Sequence, residues 1–509
     1  MTAFHDRSLP RRLMRRGYRS FNYYHRFGDA FEEDYLQLCG GGEKYTSRIL
    51  FKRGFLKLIL AATVAWMLLA FFVLFSYALI SHSSRDFSYG TCNKEGMVYS
   101  ILKALRLIRC RGCPIPVITA PENIVIPVGW SPDNVVTNLT YIMEDELVTP
   151  TSSARPLFGG NINWSERESS FNLKPSMKVR CGFTSGSGAE MAPSDIEYVK
   201  QCRFVVASGI FGGYDVPNQP LYLSTRSQKL FCFLMMMDER SVRFVQRNVT
   251  VRQDDRGGLW VGLWRIILIK NPPYDETRRN ARVAKLLTHR FFPRTQYSIW
   301  IDAKLELVYD PLLMLERYLW RERNTYAIAQ HRRRSIYEEA DANKILKRYA
   351  GPLVDLQMKI YRFEGMEPWN ETKWTVSDVP DSAIIIREHT KLNNLFHCLW
   401  FNEVNFFTPR DQLSFGYVVY RLGQSFRFFM FPYCEFRSLF RLHNHTREHA
   451  AKVDSVKSLS ELKGNGSSMK DGRGGLGLWT PYPADLESID LSDVMETFNA
   501  KRERRTNQI

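Results

Sequence analysis

The run YSIWIDAKLEL places Asp302 where an apolar strand, Tyr297–Ile301, should end. A carboxylate at the end of such a strand faces the crevice of an open sheet, where it can hold a hard divalent cation such as manganese against a diphosphate. Sugar transfer from a nucleotide donor calls for that neutralisation as the sugar–oxygen bond breaks. The usual pair of carboxylates is D-x-D. Here it reads Asp302-Ala303-Lys304, so Lys304 can balance phosphate charge itself, or Glu306 can be drawn in. Capping the next turn is the plainer task for Asp302, and the residues alone leave both open.

Four further groups carry chemistry. Asp411 and Gln412 open a helical pattern in FTPRDQLSFGYVVYRLG. A carboxylate at a helix N-terminus is stabilised as the anion, and can act as base for an acceptor hydroxyl or simply cap the helix. His443 and His445, in LHNHT, can complete the coordination shell that Asp302 begins, or hydrogen-bond locally. In SGIFGGYDVPNQP the glycines allow a nucleotide to approach the backbone, Tyr214 can stack on a base and Asp215 can take a ribose hydroxyl; a tight turn reads equally well. Arg278, Arg279, Arg282 and Lys285 share one predicted helix, as a diphosphate or acidic-glycan surface or as a solvated face.

The elements that must position these residues alternate. VRCGF, RFVVASGIF, LFCFLMMMD, WRIILIK, YSIWIDAKLEL, TYAIAQH and SAIIIREH read as strands. DETRRNARVAKLLTHRFF, DPLLMLERYLWRER and IYEEADANKILKRYAGPLVDLQMKIYRFEGM repeat apolar residues at three and four, as helices do. Alternation predicts an α/β fold with a mostly parallel sheet covered on both faces. The catalytic domain is expected at 176–450, after a stem at 81–175, with a flexible C-terminal tail at 451–509.

Residues 58–80 are uncharged and apolar, long enough at about 1.5 Å per residue to span about 30 Å of hydrocarbon. The preceding segment, 1–57, is a basic tail rich in arginine, so the positive-inside rule leaves it cytosolic and sends the rest to the lumen, a single-pass type II arrangement. The sequons Asn138, Asn163, Asn248, Asn370, Asn444 and Asn465 all follow the span, as glycosylation on the far side requires. So do eight of the nine cysteines, an even number suited to disulfides whose pairing is not readable from spacing. Cys110 and Cys113 form a lone CRGC, which suits structural disulfides better than a metal site. The formal charge of +17 gathers on no predicted element with a nucleic-acid motif, which excludes that partner class.

FGGYDVPNQP, LFCFLMMMD, KLLTHRFFPRTQYSIWIDAKLELVYDP, AIAQHRRRSIYEEA and CLWFNEVNFFTPRDQLSFGYV, in this order over about residues 175–450, resemble the plant family that includes the turgor-regulation-defect protein and the mucilage-related hexosyltransferase. The resemblance implies a nucleotide-diphospho-sugar transferase sheet of the type A class in a Golgi type II membrane protein. It places Asp302 at that class's metal-binding aspartate, and Asp411 at an Asp-Gln pair near the acceptor. It implies a hexosyltransferase moving sugar to a cell-wall polysaccharide or glycoconjugate, with other Golgi enzymes as companions. The family's second description is an alkaline ceramidase of sphingolipid metabolism and turgor regulation, which would draw a zinc-activated water from His289, His331, His389, His397, His443 and His445. None of these has H-E-x-x-H spacing. A third reading, prompted by the incomplete D-x-D, is a non-catalytic glycosyltransferase-like partner protein.

Overall fold

FVVASGI, FCFLMMM and WRIILIK leave no polar face for solvent, and each becomes a strand covered on both sides. The computed structural model of the chain describes residues 63–70, 72, 113–127, 135–144, 156–160, 162–346, 348–349 and 351–446. Residues 1–86 and 87–509 form two separate units. In the first, 63–70 and 72 are helical, and the rest of the expected span 58–80 lies outside the described residues. Among the described residues no helix is long and apolar enough to cross a membrane.

In the second unit, strands β1 (Asn138–Ile142) and β2 (Ser176–Arg180) pair in parallel as a sheet of their own. Next come β3 (Glu190–Met191), β4 (Phe204–Ile210), β5 (Phe231–Met237), β6 (Arg252–Gln253), β7 (Leu259–Val261), β8 (Trp264–Lys270), β9 (Tyr297–Ile301) and β10 (Leu305–Leu307). Last are β11 (Tyr326–Gln330), β12 (Pro380–Glu388), β13 (Phe429–Phe431) and β14 (Phe440–Leu442). The main sheet runs β13, β11, β12, β9, β4, β5, β8, β7, β6, with β3 beside β8. Its centre, β9-β4-β5-β8, is parallel, as the alternating pattern predicts. Strand β12 is antiparallel to β9 and β11 on either side of it.

Helices α1 (Trp164–Ser170), α2 (Glu239–Asn248), α3 (Thr277–Leu286), α4 (Ile336–Ile345), α5 (Gly351–Phe363), α6 (Lys391–Phe406) and α7 (Asp411–Leu422) matter for the site. Alternation along β4 sends Val205 and Ala207 to a core shared with α3, α6 and α7, and Phe204 and Val206 to a second core on the other face.

Three expectations change. YSIWIDAKLEL is not one strand: it turns at Asp302–Lys304, the Leu305 N–H donating to the Asp302 carbonyl at 2.9 Å, and β10 leaves the sheet to pair with β14. VRCGF contributes only to the small β1–β2 sheet. The segment 81–175 is not all stem, because from Cys113 its described residues are fastened to the domain. Cys113 is bonded to Cys434, not to its CRGC neighbour. Arg167 of α1 is buried with its Nη1 and Nε 2.7 Å from Glu364 and Glu403. The other disulfides are Cys181–Cys398 and Cys202–Cys232. Asn465 and the tail from 447 onward lie outside the described residues, whereas Asn138, Asn163, Asn248, Asn370 and Asn444 are all exposed.

Candidate functional site

Strand β9 is buried throughout, so the first residue beyond it meets the sheet's carboxyl edge. That residue is Asp302, its N–H donating to the Ala383 carbonyl at 2.9 Å and its side chain 29% exposed. Asp302 Oδ1 accepts from Trp300 Nε1 at 2.9 Å and from Lys285 Nζ at 3.3 Å.

Lys285 is the hub. It lies on the last turn of α3, which packs on β4, and it is buried. Its Nζ reaches Asp411 Oδ2 at 2.8 Å, Ser382 Oγ at 3.1 Å and Asp302 Oδ1 at 3.3 Å. Arg282, one turn earlier, sets its Nε 3.4 Å from Asp411 Oδ1. The chain thus brings Asp302 and Asp411, 109 positions apart by subtraction (411 − 302), onto one ammonium.

Their electrostatics follow. Burial raises the Asp302 carboxyl, but the charges of Lys285, Lys304 and Arg282 and the Trp300 N–H outweigh it, so it is held below the usual carboxylate range. Asp411 is buried at the first turn of α7, and Arg282, Lys285 and Arg410 hold it far below that range against the same burial penalty. Ser382 Oγ also donates to Asp411 at 2.8 Å. A carboxylate so enclosed is a poor proton acceptor. The expected base role does not fit Asp411, which instead fixes Lys285 in place.

Asp381, at the start of β12, went unremarked in the sequence. It is partly exposed, accepts from the Ala383 N–H at 3.4 Å and forms no ion pair among the described residues. Burial, with the neighbouring Asp302 charge adding to it, pushes its carboxyl up to about 6.

The C-terminal segment forms the far wall. Strand β14 pairs with β10, and the His443 N–H donates to the Lys304 carbonyl at 2.9 Å. His443 Nε2 then lies 3.1 Å from Glu306, and His445 Nδ1 lies 2.9 Å from Asp215. The Thr446 N–H also donates to Asp215, at 3.2 Å. Asn218 Nδ2 donates to the Ala303 carbonyl, so segments 215–218, 302–306 and 443–446 meet at this turn.

Several sequence assignments are changed by this geometry. Asp215 is committed to His445 and Thr446 instead of standing open to a ribose. Gly212 and Gly213 have positive φ, but their N–H groups donate to Asp238 and Ser241. A Cβ on Gly212 would come within 2.8 Å of Thr277, so these glycines permit helix packing and not a phosphate cradle. Tyr214 is half-buried beside them. Arg278 donates to the Arg348 carbonyl at 2.9 Å, and Arg279 is buried against carbonyls at the end of α6. Of the basic run only Arg282 and Lys285 reach the cleft.

A divalent ion does not fit the proposed ligands as placed. Asp302 Oδ1 faces an ammonium, and His443 and His445 are each engaged by another carboxylate. Among the described residues the metal-spaced trio is Cys181, His289 and Cys398, and its two sulfurs are a disulfide. The other histidines give no hydrolytic site. His289, His389 and His397 cluster at the opposite edge of the sheet, His289 and His397 buried and His389 partly so, with ring centroids of His389 and His397 6.4 and 6.3 Å from that of His289. His331 lies 3.9 Å from Glu339. A cavity of about 860 Å³ also lies elsewhere, lined by Tyr141, Glu166, Arg180 and Asn402. Arg167 and Glu403 on its wall are already paired with each other.

The model of the TOD1/MUCI70 glycosyltransferase-like domain matches residues 139–445. The chain is 39% identical over 356 residues to the probable hexosyltransferase MUCI70 of Arabidopsis thaliana, covering 67% of this chain and 61% of that protein. It is 36% identical over 269 residues to the alkaline ceramidase TOD1 of the same plant, covering 51% of this chain and 57% of that protein. The chain therefore spans about three fifths of the length of the curated relatives it matches.

Proposed function

Because the chain belongs to the TOD1/MUCI70 glycosyltransferase-like family, we propose that it is a Golgi hexosyltransferase moving a sugar from a nucleotide-sugar donor to a cell-wall polysaccharide or glycoconjugate. The observation that carries this reading is Asp302 at the carboxyl end of β9, tied through Lys285 to Asp411. Lys285, Lys304 and Arg282 stand around that turn, where their charges can meet a diphosphate leaving group. Lys285 is oriented before the donor arrives, because three oxygen atoms already surround its ammonium. Asp381 supplies a carboxylate that forms no ion pair among the described residues and is open to a sugar hydroxyl.

The luminal, single-pass type II placement is part of the same proposal. Three disulfides among the described residues and five exposed sequons support an oxidising, glycosylating compartment. The ceramidase reading draws only on the name of one relative, since among the described residues the metal-spaced group is His289 with the Cys181–Cys398 disulfide.

The test incubates full-length protein with a panel of nucleotide sugars and, separately, with labelled ceramide. Donor turnover that Asp302→Ala abolishes supports the transferase. Fatty-acid release without donor turnover replaces it with the hydrolase, and neither activity points to a non-catalytic partner.

A further inference from the structure

We propose that the cleft neutralises the donor diphosphate with the side chains of Lys285, Lys304 and Arg282 in place of a divalent cation. The inference rests on the transferase reading and adds how that site handles charge.

The residue types come first. Where a second metal-binding carboxylate would stand, the chain has Lys304, half-exposed on the turn that follows β9. A metal ion bonded to Asp302 Oδ1 at about 2 Å would stand close to the Lys285 ammonium, which lies 3.3 Å from that oxygen, and the two cations would repel. Lys285 cannot swing away without taking its ammonium from Asp411, which is buried and would be left to the Arg282 guanidinium and the Ser382 hydroxyl.

The remaining ligands are also committed. His443 Nε2 is 3.1 Å from Glu306 and His445 Nδ1 is 2.9 Å from Asp215. Both pairs tie the 443–446 segment to the turn, beside the β10–β14 pairing and the His443 and Thr446 N–H groups, so a metal would have to displace a carboxylate to gain an imidazole.

The chemistry balances without a metal. The bond between the anomeric carbon and the diphosphate oxygen breaks with its electron pair going to that oxygen. A bond forms between the anomeric carbon and the acceptor oxygen, and the acceptor hydroxyl passes its proton to the Asp381 carboxylate. The added negative charge falls on phosphate oxygen, where fixed ammonium and guanidinium groups stabilise it with no reorganisation.

The experiment measures calorimetric binding of UDP and GDP to the full-length protein, in EDTA and in manganese. The wild type is expected to bind one of them with affinities within about threefold in the two conditions. Lys304→Ala should weaken binding by about tenfold or more in both. Lys304→Asp rebuilds Asp-Ala-Asp, and its binding should become manganese-dependent. Wild-type binding that collapses in EDTA and returns with manganese overturns the inference while leaving the transferase reading intact. So does a Lys304→Ala variant that binds as the wild type does. Binding of neither nucleotide in either condition removes the transferase reading and this inference with it.

Discussion

Strand β12 has a buried cation at each end, and the two ends are built differently. At its start, Lys285 is surrounded by Asp302, Asp411 and the Ser382 hydroxyl. Near its end, Arg387 is equally buried, yet among the described residues its Nε reaches only Ser298 Oγ at 3.4 Å and its two terminal nitrogens find no hydrogen-bond partner. Its neighbours are His289, His389 and His397, which burial and the Arg387 charge hold well below the ordinary histidine range. Desolvation likewise lowers the Arg387 guanidinium to about 10. The first end is a compensated charge network open to a cleft; the second is a closed packing site whose guanidinium forms no ion pair among the described residues. The proposed function belongs with the first, because partnered charges held at a crevice can meet a ligand's charge without rearranging.

Lys285→Met breaks this contrast most severely. It leaves Asp411 buried without its main partner, and unfolding free energy should fall by about 3–5 kcal/mol in chemical denaturation. Adding Asp411→Asn should restore much of the stability but no donor turnover, which separates the structural share of Lys285 from its share in transfer.

The closed end responds in stability alone. Replacing both Cys181 and Cys398 by serine, beside His289, should cost about 2–5 kcal/mol, with turnover per folded molecule unchanged.

Glu388 closes β12 at the same end, and burial pushes its carboxyl up to about 7. A raised folded-state value means that stability is complete below the unfolded carboxyl range, near 4.5, and is lost as pH rises toward and through 7. Glu388→Gln should therefore gain about 1–3 kcal/mol over the wild type at pH 8 and nothing at pH 4, read from denaturation at the two pH values.

The smallest effect is expected at Arg387. With no carboxylate to strand, Arg387→Met should leave unfolding free energy within about 1 kcal/mol or raise it, and should leave turnover untouched. A loss as large as that of Lys285→Met would erase the distinction between the two ends.

Much of the compensated end was legible before any coordinates. The apolar run Tyr297–Ile301 ending in Asp302, and the helix opening at Asp411, both stand where their patterns put them. Their meeting on Lys285 was not legible, because ladder order and helix packing bring distant segments together and neither follows from spacing. Asp381 was missed for a definite reason. Strand-end carboxylates were sought after apolar runs, as suits parallel strands, but β12 runs antiparallel, so its beginning is what reaches the cleft. The pairings of His443 and His445 were hidden too, since β14 had first to pair with β10. The fastening of Cys113 and of Arg167 to the domain gave only a weak signal, a cysteine in CRGC and the WSERESS helix, with Cys434, Glu364 and Glu403 far along the chain.

Hydrogen–deuterium exchange of the full-length protein, with and without the nucleotide sugar it consumes, addresses the cleft most directly. Slower exchange confined to peptides covering 277–286, 300–307 and 380–384 is the result expected of a donor seated on Lys285 and Asp302. Slowing confined to the cavity around Tyr141 and Asn402, with these three segments unchanged, would contradict it.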